Sequence, residues 1–429
     1  MSLQGGTSEK LAKMGSLTTK ERSNKAENLT KYMPASARLV AFYLPQFHPI
    51  PENDRWWGKG FTEWTHVTKA RPLFRGHYQP HLPADLGFYD LRVPEVREAQ
   101  AELARNAGIE AFCYYHYWFA GRRLLERPFS EVLATGRPDF PFCLCWANET
   151  WSGVWHGAPH RVLIEQTYPG AADNRKHFET LRDAFLDRRY LRVDGRPVFV
   201  IFNPAGLPDP KDFIQQWQQL ARENGLPGLH FIAYLDHCIA DWNFKARGFD
   251  GSIAANPQIY RSLSKFERVF GKRVSLNPEA QKLPGTPVPN DHRGAMRHGL
   301  WRLCRALWGQ FNNVVEYRHA LPYLLQGTDT APDVYPCVIP NWDNTPRSGR
   351  RGHVLHGSTP ELFRNHLRAA LQLVHSRAPD RRLLFVKSWN EWAEGNHLEP
   401  DQKFGHAYLE VVREEVTCRA EAKPNIHRH

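Results

Sequence analysis

The sequence predicts a (β/α)8 barrel, eight parallel strands separated by helical segments and closed into one cylinder. Two observations carry this. Apolar runs of strand length alternate with helical periodicity along most of the chain. Polar and aromatic residues gather just after the C-terminal ends of those runs, the face on which such barrels carry their chemistry. The 429 residues, 41% hydrophobic, are enough for one core of that size or for two ordinary domains. The competing architecture is a doubly wound open sheet of the nucleotide-sugar transferase kind. It lacks support, because the chain carries no Gly-x-Gly-x-x-Gly turn and no clear Asp-x-Asp metal motif.

Residues 1–34 are polar, rich in Lys, Ser and Thr, and read as a disordered leader without the apolar segment of a signal peptide. The first strand, Leu39 to Leu44, runs out into Pro45-Gln-Phe-His48. Tyr43, Gln46 and His48 therefore stand at its C-terminal end. A long loop follows with Trp56, Trp57, Glu63 and Trp64. It is too polar and glycine-punctuated for a core and too aromatic for an ordinary connection, so it reads as a lid. A helix starts near Pro94, with Val96, Ala99, Leu103 and Ala107 on its inward face and Gly108 as its cap. Strand two, Glu110 to Tyr115, leads into Tyr117 and Trp118. Strand three, Phe142 to Cys145, leads into Trp146, Asn148 and Glu149. After a helix around His177–Phe185, strand four is Pro197 to Phe202, followed by Asn203. Strand five, Leu229 to Leu235, ends in Asp236 and His237, and a short sixth strand covers Gly251 to Ala255.

Residues of about 257–333 form the longest excursion, basic and helical around Arg297–Trp308 and Val315–Leu325. Strand seven, Tyr335 to Pro340, leads into Asn341, Trp342 and Asp343. A helix starting at Thr359-Pro360-Glu361, an N-cap followed by proline, turns Leu362, Phe363, Leu367, Leu371 and Val374 inward. The barrel is expected over 35–415, with a flexible tail over 416–429.

Strand eight is the stretch on which the functional reading rests. Leu384-Phe-Val386 leads through Lys387 and Ser388 into Trp389-Asn-Glu391-Trp-Ala-Glu394-Gly395. Two carboxylates three residues apart, walled by indoles at a strand end, are partly desolvated, which raises at least one pKa. Side chains at i and i+3 on a turn lie roughly 5–6 Å apart. Retaining glycosidases place their two carboxyl groups about 5–5.5 Å apart. A bare Glu-x-x-Glu is more often a helix start beside a surface charge, but the strand end, the two Trp and the closing Gly favour a catalytic pair. The binding face around it is then Tyr43, Gln46, His48, Trp56, Trp57, Glu63, Trp64, Tyr117, Trp118, Trp146, Asn148, Glu149, Asn203, Asp236, Trp342, Asp343, Trp389 and Asn390. Fourteen Trp, many in polar company, suit a surface that stacks on sugar rings.

Net charge is +11, which favours anionic partners. The basic residues are scattered rather than gathered in a stripe with stacking aromatics, so nucleic acid is a poor partner. The seven Cys sit mostly in apolar runs, without Cys-x-x-Cys or zinc spacing. They read as reduced core residues of a cytoplasmic protein, and neither a metal nor a cofactor is expected. No apolar run is long enough to span a membrane.

Several long motifs carry a family resemblance: Ala41-Phe-Tyr-Leu-Pro-Gln-Phe-His-Pro-Ile-Pro-Glu-Asn-Asp, Trp56-Trp-Gly-Lys-Gly-Phe-Thr-Glu-Trp, Phe112-Cys-Tyr-Tyr-His-Tyr-Trp-Phe, Pro141-Phe-Cys-Leu-Cys-Trp-Ala-Asn-Glu, Trp342-Asp-Asn-Thr and Trp389-Asn-Glu-Trp-Ala-Glu-Gly-Asn-His-Leu-Glu-Pro-Asp. Over roughly 38–410 the chain resembles the WbsX-type family, glycosyltransferases associated with O-antigen and other polysaccharide loci. At its last motif it is similar to the glycoside hydrolase family 99 endo-α-mannosidases, which are retaining barrel enzymes. That likeness implies that Glu391 deprotonates the sugar's own 2-hydroxyl, which attacks C1 to give a 1,2-anhydro sugar. It implies that Glu394 protonates the leaving oxygen and then activates water. The expected activity is therefore hydrolysis or transglycosylation of a bacterial polysaccharide. A nucleotide-sugar glycosyltransferase and a non-catalytic polysaccharide-binding barrel are the alternatives.

Overall fold

The structure is a computed structural model that describes residues 37–153, 158–235, 242–254, 314–325 and 330–417. Its frame is eight parallel strands: β1 (Arg38–Tyr43), β2 (Ile109–Phe119), β3 (Phe142–Trp146), β4 (Arg196–Ile201), β5 (His230–Tyr234), β6 (Gly251–Ala254), β7 (Val334–Val338) and β8 (Leu383–Val386). Each pairs in parallel with its neighbour in chain order. The ring closes where β8 pairs with β1, Leu384 beside Leu39 and Val386 beside Ala41. The expected (β/α)8 barrel is the fold found. Strands buried on both sides need near-continuous apolar sequence, and these have it. Aromatic rings fill the cylinder: Phe42 packs on Tyr115, Phe385 and Tyr234 at 5.6–5.7 Å between centroids.

Among the described residues the helices are α1 (Pro51–Trp57), α2 (Trp64–Val67), α3 (Pro94–Asn106), α4 (Arg127–Thr135), α5 (Ala171–Leu186), α6 (Pro210–Glu223), α7 (Tyr317–Leu324), α8 (Thr345–Ser348), α9 (Pro360–Val374) and α10 (Ala407–Thr417). Thr359 caps α9 through its hydroxyl, which accepts from the Leu362 amide, and Phe363, Leu367, Leu371 and Val374 are buried, with Leu362 only half-buried. Gly108, at φ +85°, ends the segment after α3.

Four local expectations change. The buried face of α3 is Arg97, Gln100, Ala101 and Ala104, while Val96, Ala99 and Leu103 are half-buried. Polar side chains can be inside because each has a built partner: Gln100 donates to Glu399 at 2.6 Å and Arg97 pairs with Glu131 at 2.9 Å. Strand β2 runs on past Tyr115, so Tyr117 and Trp118 lie within it, paired with Leu124 and Arg123 of a short return strand. The loop after β1 holds the helices α1 and α2, and the segment from Val315 begins extended before α7. The expected leader, the stretch around 297–308 that the sequence reads as helical and most of the tail lie outside the described residues, as do Asp236 and His237.

Candidate active site

The chain stays lodged between its neighbours after β8. The Lys387 amide donates to the Val338 carbonyl at 2.9 Å and the Trp389 amide to that of Phe42 at 2.7 Å. Asn390 and Glu391 then pair antiparallel with His397 and Asn396, and a single 3-10 turn, Trp392–Glu394, joins them. Gly395 closes that turn at φ +56°, and a Cβ on it would stand 3.0 Å from the Cβ of Asp343. The position demands glycine twice, for its backbone angle and for the close approach of the loop after β7. Asn390 is a staple. Its Oδ1 accepts from the Leu44 amide at 2.7 Å and its Nδ2 donates to the Leu44 carbonyl at 3.1 Å, tying the turn to the end of β1. Ser388 Oγ accepts from the Glu391 amide at 3.0 Å and donates to the Asn396 carbonyl at 2.6 Å. The backbone that presents Glu391 and Glu394 is held at Lys387, Trp389, Glu391, Ala393 and Gly395.

The two carboxyl groups are both buried on one turn, where the charge of Glu391 acts on Glu394. Burial, reinforced by the charge of Glu391, pushes Glu394 up to about 8, although Arg347 and Lys387 pull against it. Arg347, on α8, donates from Nη1 to Glu394 at 2.7 Å and from Nη2 to both oxygens of Glu63 at 2.7 and 2.8 Å. Burial disfavours its charge, but Glu63, Glu394 and Glu391 together raise it above the ordinary arginine value. Glu63, fully buried just before α2, also accepts from the Ala393 amide at 2.9 Å and faces Gln46 at 3.5 Å. On the other side of the pair, burial and the charge of Glu391 raise the pKa of Tyr115. Lys387 points into the same mouth. Its Nζ donates to Tyr234 Oη at 2.9 Å and lies 5.1–5.5 Å from the ring centroids of Phe202, Tyr234 and Trp342.

A family model described as glycosyltransferase WbsX matches residues 39–412. The chain belongs to the WbsX glycosyltransferase family. Proteins titled "Uncharacterized protein WxcX" from two strains of Xanthomonas campestris pv. campestris are each 39% identical over 390 residues, 91% of this chain and 50% of theirs. The chain thus spans half the length of these curated relatives. Among solved structures, one titled "Glycoside hydrolase-like protein" is similar at a TM-score of 0.52 and 14% identity, covering 89% of this chain and 94% of that one. A glycoside hydrolase family 99 endo-α-mannosidase from Bacteroides thetaiotaomicron is similar at 0.50 and 13%, covering 89% and 98%. At such identities the likeness is one of fold.

In this WbsX-family chain the residues expected at the strand ends divide into two groups. Glu63, Gln46, Tyr117, Glu149 and Trp342 face the carboxylate turn or its cations. The charges of Glu391, Arg347 and Glu63 all reach Tyr117, and that of Lys387 reaches Glu149, whose pKa burial raises. Trp56 stands against Trp151 at 5.9 Å and Trp151 against Tyr117 at 5.0 Å, an aromatic wall beside Glu391, while Trp57 packs on Phe61. The second group lies in the packing. Trp64 is buried against Trp392, with its indole nitrogen donating to the Tyr89 carbonyl at 2.8 Å. Tyr43 donates to Gln100, Trp146 to the Trp118 carbonyl, and Trp118 to Asp173. Asn148 ties the ends of β3 and β4 together through both backbone groups of Asn203. Trp389 is buried against Phe112, and His48 is buried and shifted down by desolvation. Asp343 accepts from Gln79 Nε2 at 2.7 Å and from the Thr345 amide and hydroxyl at 3.0 and 2.6 Å, and meets His77 at 2.6 Å.

Arg347, Lys387 and Tyr115 escaped the sequence reading. A lysine between an apolar strand and Ser388 was a usable signal, since a charge there needs a partner. Arg347 had none, because its partners are 47 and 284 residues away.

Proposed function

We propose that the chain acts on glycosidic bonds of a bacterial polysaccharide through Glu391 and Glu394, with retention at the anomeric carbon. One observation carries this: two buried carboxyl groups on one turn at the end of β8, with burial and the neighbouring charge of Glu391 raising Glu394. A general acid needs a pKa near the working pH, and Glu394, raised to about 8, fits that role towards the leaving oxygen. Glu391, beside Tyr115, is the base towards the sugar's 2-hydroxyl. Direct displacement by water requires carboxyl groups about 6.5–9.5 Å apart, and side chains at i and i+3 on one turn lie roughly 5–6 Å apart, nearer the retaining value. The Trp56–Trp151–Tyr117 wall supplies a stacking face for a sugar ring. Lys387 beside the pair, with the net charge of +11, favours a glycan that carries anionic groups.

The family's name favours transfer over hydrolysis, and the same two carboxylates serve either, with a sugar hydroxyl or a water taking up the anhydro intermediate. Product analysis on O-antigen-type polysaccharide decides between them. Hydrolysis creates new reducing ends, whereas transfer redistributes chain lengths without a net gain. Proton NMR of the first-formed product should show retained configuration, and a substrate methylated at O2 should not turn over. An inverted first product would sink the two-carboxylate reading.

A further inference from the structure

Behind the carboxylate turn lies a second cluster with no part in the chemistry above. His81, from the irregular stretch between α2 and α3, meets His397 and Asp401, which lie 316 and 320 residues further on. All three side chains are buried, and one donor atom of each falls within 4.8 Å of the others. His81 Nδ1 stands 3.3 Å from His397 Nε2, and Asp401 Oδ2 stands 3.9 Å from that nitrogen.

The surrounding contacts determine which atoms face inward. The Nδ1 of His397 is 3.1 Å from the Glu399 carbonyl, and a carbonyl accepts only from an N–H, so Nδ1 carries the proton and Nε2 presents a lone pair. The Oδ1 of Asp401 is occupied by the amides of Lys403 and Phe404 at 3.0 and 2.6 Å, which leaves Oδ2 aimed at the histidines. A lone pair and a carboxylate oxygen thus face one another at a distance too long for a hydrogen bond, in a site shielded from water. The two imidazoles stand 3.3 Å apart, so the His397 lone pair can accept from His81 or share a cation with it. Ligands held about 2.0–2.1 Å from a tetrahedral metal stand roughly 3.3–3.4 Å apart, which matches the two nitrogens. An imidazole whose far nitrogen is fixed by a backbone carbonyl, and a carboxylate whose far oxygen is fixed by amides, are how proteins orient metal ligands.

We propose that His81 Nδ1, His397 Nε2 and Asp401 Oδ2 bind a divalent transition metal, zinc by preference for this donor set. The ion has a structural role. It joins the segment bridged at Pro83 and Asp401 to the hairpin strand bearing His397, whose ring stacks on Trp392 at 3.8 Å within the carboxylate turn. The zinc spacing missing from the sequence is no obstacle, because these ligands meet only through the fold.

The test uses the full chain without an affinity tag, stripped by chelator and titrated with Zn2+, and with Co2+ as an optical probe. One equivalent of zinc per chain is expected, with a rise in Tm of at least about 3 °C at saturation and visible cobalt d–d bands of a low-coordinate site. His81→Gln and Asp401→Asn should each weaken zinc binding at least about 10-fold, and Asp401→Asn keeps an oxygen for the two amides. X-ray absorption on the wild-type zinc form should show two imidazoles and an oxygen in the first shell, which keeps the proposal open to test if a variant does not fold. No bound equivalent, a shell lacking imidazole, or undiminished affinity in both variants would overturn it. Metal content and the Co2+ spectrum are read without turnover, so this outcome is independent of the proposed glycan chemistry.

Discussion

Asp343 and Glu394 are two carboxylates at the ends of adjacent strands, both buried, and their pKa values move in opposite directions. Desolvation pushes each one up. Asp343 nevertheless sits below the usual 3.8, because His77, Gln79 and both donors of Thr345 converge on its oxygens. Glu394 has one guanidinium, shared with Glu63, and a second carboxylate beside it, and it rises to about 8. Glu399 falls between them. Three neutral donors, from Tyr89, Gln100 and Trp392, leave it raised to about 7. Donors filling every lone pair make a buried carboxylate a structural anion, and a shortage of them makes it an acid.

The largest expected effect separates the two outright. Glu394→Gln and Glu391→Gln should each lower turnover by about 10²–10⁴-fold. The Glu394 variant should recover on substrates with a good leaving group, which needs little protonation. In the wild type kcat should decline as pH rises through about 8, where Glu394 loses its proton. Near-native turnover in either amide variant would move the chemistry away from this strand.

Arg347→Met sharpens the contrast by removing the cation. Glu63 is then buried without its partner, at a cost of about 3–5 kcal/mol in chemical denaturation. The alkaline limb of kcat should move upward, because losing a positive charge makes Glu394 a weaker acid. A downward move would contradict this account of the charges.

Stability against pH gives a smaller and opposite pair of signatures. Folded Glu394 keeps a proton that the unfolded chain releases above its ordinary 4.5, so it makes stability fall as pH rises from 4.5 to about 8. Asp343 is depressed, so its contribution is present above 3.8 and lost as pH falls through its folded value. Glu394→Gln should therefore flatten the fall of Tm between pH 4.5 and about 8. Asp343→Asn should cost about 1–3 kcal/mol at neutral pH and flatten the acid slope. Identical pH profiles for the two variants would erase the distinction.

Trp56→Ala carries the smallest effect, roughly 1 kcal/mol of glycan affinity by isothermal titration, with both pH signatures unmoved. Lost Tm at unchanged affinity would assign Trp56 to packing, as the structure does for Trp64.

Much of this molecule is legible in its sequence because the relevant signals are local. Leu39–Tyr43, Val198–Ile201 and Leu383–Val386 are apolar because barrel strands are covered on both faces, and their spacing with the helices between them specifies the cylinder. Glu391 and Glu394 share one turn whatever the rest of the chain does. What lies across the fold was decided only by tertiary structure. The same indole serves as wall at Trp56 and as packing at Trp64, according to which neighbours close over it. Glu63, Arg347 and Glu394 become one network, and His81, His397 and Asp401 one cluster, through loops hundreds of residues apart. Burial and the count of donors at each oxygen set the proton affinities, and both exist only once the chain has closed on itself.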